Sequence, residues 1–211
     1  GSVTASNCAR LLKLNLANTT ISKLDITLCP RIDEINISGT SNLNNLSLNA
    51  CQTLRVLNME GFKSPNYNTL NLSTCPNIEH LYLSGTTNLA NITFAESATK
   101  LKTLDISNSS IKSARFGQNV TFPNYLDLAQ FNLTSIKFTN NNLIEHIKNL
   151  DYTGSGDHTF TNCKNLHTIE CKQGGKLKLT GGLNQTFYSC GKLTGIPSEI
   201  DLSASTSSTE A

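Results

Sequence analysis

The chain has 211 residues, of which 37% are hydrophobic and 15% charged, and its formal net charge is +2. That length suits one large domain or two small ones, and both fractions are low for a compact globular domain. The balanced charge, the lack of a basic stripe and the absence of tryptophan give no case for nucleic acid or an anionic membrane, and no apolar run reaches spanning length.

Residues 1–7 read as a lead-in, with Gly1-Ser2 as an expression scar on a piece cut from a longer chain. A missing leader then says nothing about the natural compartment. From Cys8 onward a pattern L-x-x-L-x-L returns, with Ile, Met or Phe allowed. It opens as Leu11, Leu14, Leu16, and recurs at Ile32, Ile35, Ile37, at Leu54, Leu57, Met59, at Ile78, Leu81, Leu83 and at Leu101, Leu104, Ile106. The next copy keeps Leu126 and Leu128 but opens on Pro123. A second series lies between these, from Ile21, Leu24, Ile26 through Leu43, Leu46, Leu48 to Leu133, Ile136, Phe138. Each turn of about 22 residues thus carries two apolar half-repeats.

Within each half the last two apolar positions are two apart, so they share one face of a short strand and the residues beside them point outward. A single turn cannot bury its own apolar residues, but stacked turns cover one another. At the strand spacing of about 4.8 Å, nine or so turns make a rod or arc roughly 40 Å long. Turn formers such as Ser38-Gly39-Thr40 and Ser84-Gly85-Thr86 separate the halves and leave no room for a long helix. After about residue 140 a longer unit appears twice, as HTFTNCKNLHTI from His158 and QTFYSCGKLTGI from Gln185, with room for an extra turn or short helix. The predicted organisation is one solenoid over residues 8–202, with short repeats over 8–141, longer ones over 142–202, and a flexible polar tail over 203–211.

Leu24-Asp25-Ile26-Thr27-Leu28-Cys29-Pro30-Arg31-Ile32 resembles the short units of bacterial leucine-rich repeat proteins of the internalin and Bacteroidetes surface type. The Phe-x-x-Cys-x-x-Leu-x-x-Ile units of the last part resemble the BspA-like variety. The resemblance covers residues 8 to about 202. It implies a right-handed coil or horseshoe of short parallel strands with little helix, in secreted or cell-surface, non-catalytic, adhesive proteins.

Six cysteines, Cys8, Cys29, Cys51, Cys75, Cys163 and Cys190, share the context C-x-x-[LI] and are expected to stack at one corner as a buried structural ladder. A disulfide between neighbours is the alternative, and seven cysteines leave one odd. His158, Cys163, His167 and Cys171 have metal-like spacing, but the repeat register turns His167 outward and Cys171 inward, so no metal or other cofactor is expected. No G-x-S-x-G, H-E-x-x-H or P-loop occurs, so no enzyme is expected. A glycan-active β-helix enzyme is the nearest catalytic alternative in shape.

Outward strand positions carry any function. On the first face His80, Tyr82, Asp105, Tyr125 and Asp127 concentrate the aromatic and acidic residues and form the expected ligand patch. Asn-x-Ser/Thr occurs nine times, including Asn36, Asn45, Asn71 and Asn119, and reads as a by-product of repeat composition in a bacterial protein. The expectation is a monomeric, extracellular binding or adhesion module for a protein or a glycan. A passive spacer within a larger surface protein is the other reading.

Overall fold

The computed structural model describes residues 1–49, 51–117, 121 and 123–206; the sequon at Asn119, the Asn45 side chain and tail residues 207–211 lie outside them. The chain is a parallel β-solenoid of about 9 turns, with no helix among the described residues. The Phe-x-x-Cys units at Phe160 and Phe187 are plain turns.

Strands numbered in chain order fall on two walls. The first wall holds β2 (Lys13–Asn15), β4 (Glu34–Asn36), β6 (Val56–Asn58), β8 (His80–Tyr82), β10 (Thr103–Asp105) and β13 (Ser135–Lys137) in one parallel sheet. A bridge from Leu133 to Tyr152 leads on to β15 (Tyr152–Ser155), β17 (Leu177–Gly182) and β18 (Ile200–Thr206). The second wall begins with β1 (Ser2–Thr4), β3 (Lys23–Asp25) and β5 (Asn45–Ser47). It resumes with β7 (Thr69–Leu72), β9 (Asn91–Phe94), β11 (Ser113–Phe116), β12 (Leu126–Asp127), β14 (His146–Leu150) and β16 (Thr168–Cys171). Strand pairing thus starts at Ser2, inside the expected lead-in, and runs to Thr206, four residues into the expected tail.

The centre strand residues form the core. Ile35, Leu57, Leu81, Leu104 and Ile136 make one continuous inward column, each 3% exposed or less. Leu70, Ile92, Ala114, Leu126, Ile147 and Ile169 make the opposing one. Burying each Leu or Ile is worth about 1.5–3 kcal/mol, and only the stack as a whole offsets the backbone entropy.

One corner of the coil is a column of left-handed backbone. Asn18, Gly39, Gly61, Gly85, Asn108, Asn140 and Asn162 all have positive φ, between 53° and 72°. Each donates its N–H to the next turn, as Gly85 does to Ser107 O (2.9 Å) and Asn108 to Thr139 O (2.9 Å). Gly and Asn are the residues that tolerate this conformation. At Gly39 a Cβ would also meet the Asn18 side-chain amide, which would have to turn aside to admit it. Asn108, Asn140 and Asn162 join their side-chain amides in line, at 2.9 Å each.

The even alternation of halves breaks once. β11 and β12 follow one another on the second wall, with Ala114 paired to Leu126. The first wall therefore skips, and β10 pairs β13 directly, Leu104 against Ile136. Pro123, standing where the apolar pattern should open, lies beside β11 instead, its carbonyl accepting from Ser113 Oγ (2.6 Å). Phe94, Phe116 and Phe131 fill the interior at this point, with ring centroids 4.9–5.6 Å apart. The break exchanges the walls for every later half-repeat, so Ser135 and Lys137 face out from the first wall and Tyr125 and Asp127 belong to the second.

The same exchange corrects the single cysteine ladder. Cys8, Cys29, Cys51 and Cys75 follow second-wall strands, and Ala98 continues their column. Cys163 follows Asn162 on the left-handed corner, so Cys163 and Cys190 sit on the first-wall corner instead. All seven cysteines are free, and all but Cys8 and Cys171 are buried. The thiols donate to carbonyls of the preceding turn, Cys29 to Ala5 O (2.8 Å), Cys163 to Phe138 O (3.0 Å) and Cys190 to Phe160 O (2.9 Å).

Burial pushes the Cys51 thiol up to about 12 and the Cys75 thiol up to about 11, from an ordinary 9.0. Cys163 is raised too, by Cys190 beside it and by burial. Above pH 9.0 the unfolded chain releases protons that the folded chain keeps, so stability is full below that pH and falls as pH rises through the folded values. Urea midpoints measured between about pH 8 and about pH 11 are expected to drop, and Cys51→Val to lessen the drop. A flat profile across that window would refute the buried-thiol account.

Candidate functional site

The outward positions of the first wall are Lys13, Asn15; Glu34, Asn36; Val56, Asn58; His80, Tyr82; Thr103, Asp105; and Ser135, Lys137. The second residue of each pair has a local duty in most turns. Asn15 Oδ1 accepts from Ala17 N (3.1 Å), Asn36 Oδ1 from Ser38 N (3.0 Å), Asn58 Oδ1 from Glu60 N (2.9 Å) and Asp105 Oδ1 from Ser107 N (3.0 Å). These are Asx turns, in which the side chain ends the strand and starts the corner. The second wall does the same with Asp25, Asn71 and Asp127, whose partners are Thr27, Ser73 and Ala129.

This assigns two of the five expected ligand residues to the coil itself. Asp105 is only 8% exposed, and its Oδ1 also accepts from Ser107 Oγ (2.6 Å). Asp127 Oδ1 takes a further bond from Asn149 Nδ2 (2.9 Å). Tyr125 and Asp127 moreover stand on the second wall, where the Lys148 ammonium lies 4.9 Å from the Tyr125 ring centroid. The structure keeps together only His80 and Tyr82 with Asp105 beneath them.

Tyr82 is the first place on this wall where the Asx duty lapses. Its ring stands 6.5 Å from that of His80, with planes 10° apart, and forms one aromatic step. His80 Nδ1 is hydrogen-bonded to Thr103 Oγ1 at 3.0 Å, which fixes the imidazole. Beside the step the wall is concave, a groove of about 310 Å³ lined by Lys13, Asn15, Glu34, Asn36, Val56, Asn58 and Tyr82, with Leu14 and Ile35. Lys13 Nζ meets Glu34 Oε1 at 2.8 Å across its far end. Along one rim Arg55 grips Asp33 at 2.6 and 2.7 Å, and Lys102 meets Glu79 at 3.0 Å. Arg55 holds the Asp33 carboxyl below its ordinary value, and Lys102 does the same for Glu79.

The other candidates do not assemble. His158 Nε2 pairs with Asn184 Nδ2 at 3.2 Å while Cys163 donates to a backbone carbonyl, and among the described residues no group of three or more His, Cys, Asp or Glu is placed to hold a metal. His146 and His167 lie 5.6 Å apart on the second wall as a pair only. A larger cavity of about 490 Å³ at the C-terminal end is lined by Leu179, Leu183, Phe187, Tyr188, Ile200 and Leu202, with Gln185 and Thr186, and has no acid, base or thiol in its lining. It is the open end of the coil, where Ile196 is 50% exposed while its counterpart Ile169 is 2%.

The groove residues Asn15, Asn36, Asn58 and Val56 were visible only as outward positions. The signal that separates duty from opportunity is the recurring Asn/Asp two residues before a turn, and its lapse at Tyr82. Compared with known proteins, the chain matches no family model and no curated sequence.

Proposed function

We propose that this chain is a non-catalytic binding module, acting outside the cell or on its surface, that presents the first-wall groove to a ligand. The observation that carries the reading is the lapse of the Asx pattern at Tyr82, which puts an outward-facing, half-buried aromatic step beside a concavity on the polar ladder. Aromatic residues at the mouth of a concavity are the usual anchors of recognition. The likeness of the repeats to bacterial leucine-rich repeat surface proteins supports the location and the adhesive role. The groove pairs its charges internally and contains no nucleophile with an adjacent base, which supports a binding rather than a catalytic role.

The test is a screen of immobilised glycans and extracellular proteins with the whole chain. At least one ligand is expected whose capture falls about tenfold or more in Tyr82→Ala. Tyr125→Ala, on the opposite wall, is expected to bind as the parent does. A ligand indifferent to Tyr82→Ala moves the site elsewhere, and no ligand at all favours a passive spacer.

A further inference from the structure

The ligand class follows from what the groove leaves unpaired. Asn15, Asn36, Asn58 and Tyr82 are register partners on four successive strands, so they form one row along the coil axis at the strand spacing of about 4.8 Å. Asn15 and Asn36 use only Oδ1 for their turns, and among the described residues their Nδ2 groups have no protein partner. Asn58 Nδ2 is held by Glu60 Oε2 at 3.2 Å. The row therefore offers amide donors at regular intervals and ends on a phenol ring.

Charge narrows the class. Lys13, Arg55 and Lys102 pair within the wall with Glu34, Asp33 and Glu79, and the one further carboxylate beside the groove, Glu60, is engaged by Asn58 Nδ2. An ionic ligand would have to displace one of these pairs. A neutral one leaves them intact. The aliphatic lining is Val56 with Leu14 and Ile35, and of these Ile35 is only 1% exposed and stands with Leu14 in the inward register. That disfavours a protein hot spot, which needs a desolvated apolar anchor site. It suits a ligand dense in hydroxyls with one apolar face.

We infer that the groove over β2, β4, β6 and β8 binds a neutral oligosaccharide, with one sugar ring laid against Tyr82, the next over Asn58, and the two beyond it hydroxyl-bonded to the amides of Asn36 and Asn15. An extended sugar chain advances per residue by an interval close to the strand spacing, so successive rings meet successive rungs. The inference rests on the binding reading above and specifies its ligand.

The experiment titrates the whole chain with neutral hexasaccharides (gluco-, xylo-, manno- and galacto-configured) and with anionic uronate and sulfated oligosaccharides, followed by calorimetry and amide NMR shifts. An array of extracellular matrix proteins is probed in parallel. Tyr82→Ala removes the ring. Asn36→Asp keeps the Oδ1 acceptor of its turn, as Asp25 and Asp105 do in theirs, and exchanges the Nδ2 donor for a charged carboxylate oxygen. Asn71→Asp makes the same change on the opposite wall, where Asn71 holds Ser73 N. At least one neutral hexasaccharide is expected to shift the amides of β4, β6 and β8. Its affinity is expected to fall about tenfold in Tyr82→Ala and about fivefold or more in Asn36→Asp, and to hold in Asn71→Asp. Sugar binding indifferent to both first-wall changes, or confined to anionic sugars, overturns the inference. Capture of proteins alone, weakened by Tyr82→Ala, overturns the sugar class and leaves the binding module standing. No binding of either kind overturns both.

Discussion

Leu104→Asp abolishes the cooperative fold. Leu104 is 1% exposed at the middle of β10, in register with Leu81 on one side and Ile136 on the other. A carboxylate there has no partner in the column and either ionises at a cost of several kcal/mol or stays protonated without a hydrogen bond, still losing about 2 kcal/mol or more. Stabilities of single domains are only about 5–15 kcal/mol. Because each turn is covered by its neighbours, the damage reaches β8 and β13 as well. Circular dichroism melts should lose their sharp transition. Thr103→Asp, one residue away and facing out, should stay within about 1 kcal/mol of the parent. A sharp transition retained in Leu104→Asp would refute the strand register.

Asn141→Ala is the second large effect, at about 3–5 kcal/mol. The side chain is fully buried next to the left-handed corner. Its Nδ2 donates to Ile111 O (2.9 Å), Ser109 Oγ (3.2 Å) and Ile106 O (3.3 Å), and its Oδ1 accepts from Leu143 N (3.1 Å) and Ile144 N (3.3 Å). Elsewhere on that corner Thr40 and Thr86 satisfy only the carbonyl three residues back, Ile37 and Leu83. Asn141 instead reaches into the preceding turn across the place where the first wall skips, and splices two backbones that are 30 to 35 residues apart. Truncation strands the Ile111 carbonyl and the Ile144 N–H in the interior and removes the further bonds to Ile106 O, Ser109 Oγ and Leu143 N. Urea melts should show the loss, while Asn142→Ala, next door and exposed, costs about 1 kcal/mol at most. Equal midpoints for the two would remove Asn141 from this role.

The columns of Leu, Ile and Phe were legible because a period of two within a period of about 22 admits one stacking solution. The wall exchange was not. Leu101 to Pro123 and Ile111 to Leu133 both keep a spacing of 22, so the rhythm looks unbroken across the skip. Only Pro123 in place of an aliphatic residue marked it, and a proline alone does not say which wall the next strand joins. The expected ligand patch divides between the walls for that reason: Tyr125 and Asp127 follow the skip and stand on the second wall. Asp105 drops out for another reason, since its outward carboxylate is taken by its turn partner, Ser107. The sequons tell the same story. Asn36-Ile37-Ser38 and Asn71-Leu72-Ser73 are Asx turns, interchangeable with Asp25-Ile26-Thr27 and Asp105-Ile106-Ser107 in the same role.

The skipped rung bears on how such a chain can change by heredity. Because both walls accept the same apolar triplets, a deletion or duplication of a single half-unit leaves the interior filled and survives. Its effect is to transpose the surface: everything encoded downstream moves from one side of the molecule to the other, without a single substitution. A lineage of such chains can therefore trade recognition faces by recombination alone.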